Sequence, residues 1–239
     1  NLKNPGEGKF DPHLASVILN DTAKQSILIN DIVEALDKFG FQGLNVDFEA
    51  LEEKKNERLS AFIQKLSDQL HKKGFTLSVD VSAGNEDYDY KALSKYADQL
   101  ILMGYDEYSE PGLPGPIADQ KWMEEKMDEV SKFIDPSKII LGIAGYGRDW
   151  VSGNEEQSVN DIGYAEAIEN AKLAGVFPLF DNDSYNLHYS YTTIDEDGEK
   201  ENHTVWFTDA ATSFNSLRFS DEYPNAGTAL WRLGSEDPR

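Results

Sequence analysis

Residues 43–49 read GLNVDFE, alternating apolar and polar side chains. Strand side chains point to opposite faces in turn, with same-face neighbours roughly 7 Å apart. Leu44, Val46 and Phe48 therefore share one face, and Asn45, Asp47 and Glu49 the other. A strand with one wet face is common in antiparallel sheets. The neighbouring segments point to a parallel sheet instead. In that setting an amide and two carboxylates in one row read as function rather than as a solvated edge.

Upstream, residues 21–39 place Ile27, Ile29, Ile32, Val33 and Leu36 near helical period, and Gly40 ends the run. Downstream, residues 52–73 carry Leu59, Phe62, Ile63, Leu66 and Leu70 on one helical face and stop at Gly74. Strands follow at 75–83, 99–108, 138–147 and 227–234, with helices at 90–96 and 121–133. Alternating strands and helices argue an α/β fold with a parallel sheet and right-handed crossovers.

Residues 151–226 break that rhythm. A helix is expected over 160–173, then a β-hairpin with Asp197-Gly198 as its tight turn. This reads as a small α+β insertion before the last strand, within a single domain over residues 1–239. Five parallel strands are legible, whereas a closed (β/α)₈ barrel has eight, in typically about 250 residues. Residues 1–16 read as a loop. The expectation is an open sheet, or a TIM-type barrel whose first strands lie outside this chain.

Asp and Glu number 44 against 22 Lys and Arg, a net charge of −22. A field of that sign repels nucleic acid and anionic membrane surfaces and tolerates neutral partners such as sugars. With no cysteine, disulfides and thiolate chemistry are excluded. The four histidines, 13, 71, 188 and 203, have no ligand spacing. The acidic runs 180–186 and 194–202 depart from a calcium loop: Tyr185 stands where a ligand is needed, and the second run lacks the final Glu. No metal and no cofactor is expected.

In a barrel the polar row would face inward and rise to the C-terminal rim, where barrel enzymes keep their sites. Glu49 would stand at the rim and Asp47 one step deeper. Burial and a negative neighbour both raise a carboxyl pKa, which allows a Glu to act as a general acid near neutrality.

Residues 40–49, GFQGLNVDFE, resemble the fourth-strand signature of glycoside hydrolase family 18, the chitinases and related N-acetylglucosaminidases, written D-G-x-D-x-D-x-E. Asp47 and Glu49 match its last two acids, while Gln42 and Asn45 replace the first two. LMGYDE (102–107), LGIAGYGRDW (141–150) and ALWRLGSEDP (229–238) resemble that family's sixth, seventh and eighth strands, in order. The stretches 104–122 and 230–238 also resemble a narrower branch, family-18 domains embedded in bacterial polysaccharide deacetylase–glycosyltransferase fusion proteins.

The resemblance implies a retaining, substrate-assisted hydrolysis of β-linked N-acetylglucosamine polymers, an exception to the two-carboxylate scheme. Glu49 would protonate the glycosidic oxygen. Asp47 would orient and stabilise the substrate's acetamido group, which attacks the anomeric carbon, and Tyr105 would hydrogen-bond its oxygen. Asn45, Met103, Asp106, Tyr146 and Arg148 would line the site, and Trp231 would stack under the sugar. Trp150 and Trp122 read as packing or outer-subsite residues. The alternative is a non-catalytic or regulatory carbohydrate-binding domain. The expected setting is extracytoplasmic or secreted, within a larger membrane-associated protein.

Overall fold

The structure is a computed structural model that describes residues 12–49, 51, 53–153, 157–194 and 198–239. The chain forms two compact units. One comprises the chain up to Met103 together with Glu129–Ile140, and the other comprises Gly104–Asp128 and Leu141–Arg239.

The first unit opens with helices α1 (Pro12–Leu19) and α2 (Thr22–Phe39). Residues 12–16 thus belong to a helix rather than to the expected loop. Pro12 stands at its first position, where the missing N–H costs nothing. The Asp21 carboxylate accepts from the N–H groups of Ala23 and Lys24 and starts α2, and Gly40 (φ 72°) ends it in the left-handed region.

Strand β1 covers Gly43–Val46, shorter than the alternation suggests, so Asp47 and Glu49 leave its C-terminal end. Helix α3 (Glu57–Lys72), β2 (Thr76–Ser82), α4 (Tyr90–Tyr96) and β3 (Gln99–Met103) follow. Asn56 caps α3 by accepting from Leu59 N at 3.0 Å.

β2 pairs in parallel with both β1 and β3. Leu77, Val79 and Val81 of β2 are buried, as are Leu59, Phe62, Ile63, Leu66 and Leu70 on one face of α3. Val46 and Phe48 lie on this apolar side too, with Phe48 stacked on Phe62 at 5.9 Å between centroids. Val46 and Phe48 of the GLNVDFE alternation are therefore core, Leu44 is half-buried, and the polar half lies on the other face.

Helix α5 (Gln120–Ser131) and strand β4 (Ile139–Ala144) each run from one unit into the other. In the second unit β4 neighbours β10 (Gly227–Trp231). A separate antiparallel sheet has the order β6-β5-β9-β8-β7, built from β5 (Gly147–Ser152), β6 (Gln157–Ile162), β7 (Leu179–Phe180), β8 (Leu187–Ile194) and β9 (Lys200–Phe207). The expected hairpin is the β8–β9 pair. Asp197 of its proposed turn lies outside the described residues.

Helix α6 (Tyr164–Ala174) packs on this sheet through Ala167 and Ala171, against Tyr189, Val205 and Phe207. It starts later than the helix expected over 160–173, because residues 160–162 complete β6 and bury Ile162 in that core before Gly163 begins the helix. Helix α7 (Ala210–Ser220) precedes β10. Among the described residues no helix is long and apolar enough to cross a membrane.

Candidate active site

The acid row belongs to the first unit. Parallel pairing sets Asn45 opposite Ser78, and the Asn45 side-chain amide donates to Ser78 Oγ at 2.9 Å and to Asp80 Oδ1 at 2.8 Å. Ser78, Asp80 and Ser82 share the polar face of β2, and Met103 lies opposite Ser82 on β3. Burial pushes the Asp80 carboxyl up to about 6; the Asn45 hydrogen bond opposes this and the Asp47 charge adds to it.

Asp47 is half-buried and Glu49 exposed, on either side of the buried Phe48. Tyr88, 3% exposed, donates its hydroxyl to the Phe48 carbonyl at 2.9 Å and so pins the backbone between the two acids. Burial, and further down the charges of Glu49 and Asp47, hold the Tyr88 phenol above its ordinary range, so it remains a donor. The loop beyond is tied down by Lys55 N donating to Glu86 O at 2.9 Å and Asn56 N donating to Asp87 O at 2.8 Å.

The second unit gathers the other expected residues. The segment after Met103 turns at Gly104, whose N–H donates to Gly142 O at 3.0 Å on β4. A Cβ there would meet Gly142 O and Leu141 Cδ1 at 2.9 Å, so this close approach requires glycine. Asp106 adopts a left-handed backbone (φ 67°), a conformation Asp tolerates better than most residues. Its carboxylate accepts from the Tyr146 hydroxyl and pairs with Arg148 Nη2 at 2.8 Å.

Arg148 also donates to Tyr108 O at 3.0 Å and, through Nε, to Asp161 Oδ1 at 3.1 Å. The guanidinium sits over the Tyr146 ring, 5.6 Å from its centroid, and Tyr105 meets that ring edge-on at 6.2 Å. Burial first, and the Asp106 carboxylate second, push the Tyr146 phenol far above its usual range.

Asp106, Tyr146, Arg148, Asp161, Trp231 and Glu236 line a hollow of about 410 Å³. Trp231 is 54% exposed, and its peptide bond to Arg232 is cis. Trp150 is core instead: it is 3% exposed, with its indole N–H donating to Glu110 O at 3.0 Å.

The structure thus brings Asn45, Asp47, Glu49 and Met103 onto one unit, and Tyr105, Asp106, Tyr146, Arg148 and Trp231 onto the other. The residues missed in the sequence are Asp80, Ser78 and Tyr88 around the acids, and Asp161 beside Arg148. Alternation in TLSVDVS (76–82) marks Ser78 and Asp80 as sharing a face; their partner across the sheet is not written in the local sequence. Among the described residues no three His, Cys, Asp or Glu side chains converge as metal ligands. The acidic turn at 180–186 closes on itself, with Asp181 accepting from Ser184 Oγ at 2.8 Å and Asp183 N at 3.2 Å.

The profile of the family described as "Glycosyl hydrolases family 18" matches residues 6–237. The chain is 29% identical over 237 residues to "Uncharacterized glycosylase YvbX" of Bacillus subtilis, covering 95% of this chain and 67% of that protein. It is 27% identical to the "Cortical fragment-lytic enzyme" of Bacillus anthracis, covering 100% of this chain but 57% of the relative. Among solved structures, the chitinase from Chromobacterium violaceum superposes with a TM-score of 0.83 at 30% identity, covering 99% of this chain and 74% of that one. The Bacillus cereus spore cortex-lytic enzyme SleL gives 0.84 at 27% identity, covering 99% of this chain and 56% of that one.

Proposed function

The chain belongs to glycosyl hydrolases family 18, and from that membership we propose that it hydrolyses β-linked N-acetylglucosamine polysaccharide with retention of configuration. One observation carries the reading. Asp47 and Glu49 leave the C-terminal end of a parallel strand two residues apart, flanking a core phenylalanine whose carbonyl is tethered by Tyr88. That is the place and spacing for a general acid beside a second carboxylate.

In this reading Glu49 donates its proton to the glycosidic oxygen as the bond to the leaving sugar breaks. The substrate's acetamido oxygen attacks the anomeric carbon and forms a cyclic oxazolinium ion. Asp47 steadies the acetamido N–H as positive charge develops. Water then opens the ring, with Glu49 taking back the proton. Two inversions at one carbon leave the β anomer. Tyr105 serves the acetamido oxygen, Asp106 the sugar hydroxyls and Trp231 the sugar face. Asn45 and Met103 of the first unit, and Tyr146 and Arg148 of the second, are assigned to substrate binding on the family resemblance.

We read the parallel strands as part of a (β/α)₈ barrel and the antiparallel sheet as an insertion in it. The names of the relatives support both chitin and spore-cortex glycan as the polymer, and N-acetylglucosamine is our choice of recognised unit. Such polymers lie outside the cell membrane, which is where we place the protein, as a part of a larger multidomain chain.

The test is product analysis with the chain in its natural protein context. N-Acetylglucosamine oligomers are cleaved and release the β anomer first, while fully deacetylated oligomers are inert. Equal cleavage of both, or first release of the α anomer, removes the substrate-assisted step. Binding of acetylated oligomers with no turnover makes this a carbohydrate-binding domain.

A further inference from the structure

Strand β1 carries an amide, Asn45, one step below Asp47 in the polar row. The register places Asn45 opposite Ser78 and carries β2 two residues further to Asp80, on the same face and alongside the end of β1. The Asn45 amide nitrogen bridges the strands, 2.9 Å from Ser78 Oγ and 2.8 Å from Asp80 Oδ1.

We propose that Asp80 is a positioning residue for Asp47: anchored by the Asn45 amide, it sets a second carboxylate on the neighbouring strand alongside the acid row, where the like charges of Asp80 and Asp47 bear on each other. The inference rests on the hydrolase reading for its kinetic consequence, but its electrostatic content stands apart from it.

The surroundings of Asp80 fit this role. On its own strand the same-face neighbours are Ser78 and Ser82, both uncharged. On the β3 side the register sets Ile101 opposite Asp80, and Gln99 and Met103 complete that face without a charge. The charge that bears on Asp80 from β1 is that of Asp47. A half-buried carboxyl with an apolar flank, one amide donor and one like charge is held by its neighbours near the middle of its titration at mildly acidic pH, at about 6.

The same displacement of the Asp80 titration carries a stability prediction. Asp80 binds its proton more tightly folded than unfolded. The folded state therefore gains from that proton at low pH and loses the gain as pH rises through about 4 to 6. Asp80→Asn keeps an acceptor for Asn45 and removes the cost of ionisation. The variant should be as stable as wild type below pH 4 and more stable above pH 6.

The experiment uses the chain in its natural protein context and ¹³C carboxyl NMR. Asp80 titrates near 6. Asp47→Asn moves that midpoint down, because a like charge is removed, and Asn45→Ala moves it up, because a donor is removed. An Asp80 midpoint indifferent to Asp47→Asn overturns the pair.

Kinetics on N-acetylglucosamine oligomers supply the second arm. Asp80→Asn lowers kcat about tenfold, the factor carried by one unit of protonation equilibrium, leaves KM near its wild-type value and erases an inflection near pH 6 from the rate profile. An unchanged kcat with the inflection intact, or a loss that tracks unfolding, overturns the positioning role. A wild-type protein without turnover refutes the hydrolase reading alone, since the NMR titrations still decide the pair.

Discussion

Both units carry carboxylates at the ends of strands, but they hold them in different ways. After β1, Asp47 and Glu49 sit near an amide, a second carboxyl and the tyrosine that tethers Phe48 O. After β3, Asp106 is bound by the guanidinium of Arg148 and the hydroxyl of Tyr146, and Arg148 is in turn fixed by Asp161 and Tyr108 O. The first arrangement sets its acids beside another carboxyl; the second ties its acid to a guanidinium and a hydroxyl. An acid that exchanges protons needs the former, while a group that holds a ligand hydroxyl in place needs the latter.

The difference can be broken most directly at Glu49. Glu49→Gln should lower turnover of N-acetylglucosamine oligomers by roughly 10²- to 10⁴-fold, the usual worth of general acid help, with oligomer binding retained. Because Glu49 is exposed, its melting temperature should match wild type. A variant that keeps its activity makes the acid row ornamental.

Arg148→Met tests the fixed arrangement. The Arg148 side chain is 11% exposed and that of Asp106 43%, so water screens part of the lost pairing. Urea denaturation should report a loss of about 1–3 kcal/mol, below the value for a fully buried pair broken on one side. A neutral result places Asp106 and Tyr146 in a loosely held wall, and the contrast between the units disappears.

The smallest effect sharpens the picture of what supports the acids. Asn56 caps α3, the helix on which Phe48 packs. Asn56→Ala should cost about 1 kcal/mol of stability. If kcat falls with no change in KM, helix placement reaches the acid row; if kcat holds, Tyr88 alone is enough to fix the Phe48 carbonyl.

Much of this was legible along the chain. The alternation at 43–49 gave the two faces of β1, and the structure buries Val46 and Phe48 while leaving Asn45 and Glu49 exposed. The helix over 90–96 and the β8–β9 hairpin were equally readable, since turn chemistry and apolar period are local. The misreadings were at boundaries. Residues 160–162 have enough polar content to pass for a helix start, and only the buried place of Ile162 beside Phe207 reveals a strand.

Four tryptophans look alike in the sequence, yet Trp150 is core and Trp231 is open to a ligand. Burial depends on what the rest of the chain lays over a side chain, and no local pattern records that. By itself the sequence determined which residues share a face, where two acids stand two residues apart, and which family the chain resembles, because strand period and motif order are properties of neighbours along the chain. The tertiary structure decided that Asp80 stands beside Asn45 and that Arg148 locks Asp106. Those contacts arise from strand register and chain reversal, which join residues 35 and 42 positions apart in the sequence.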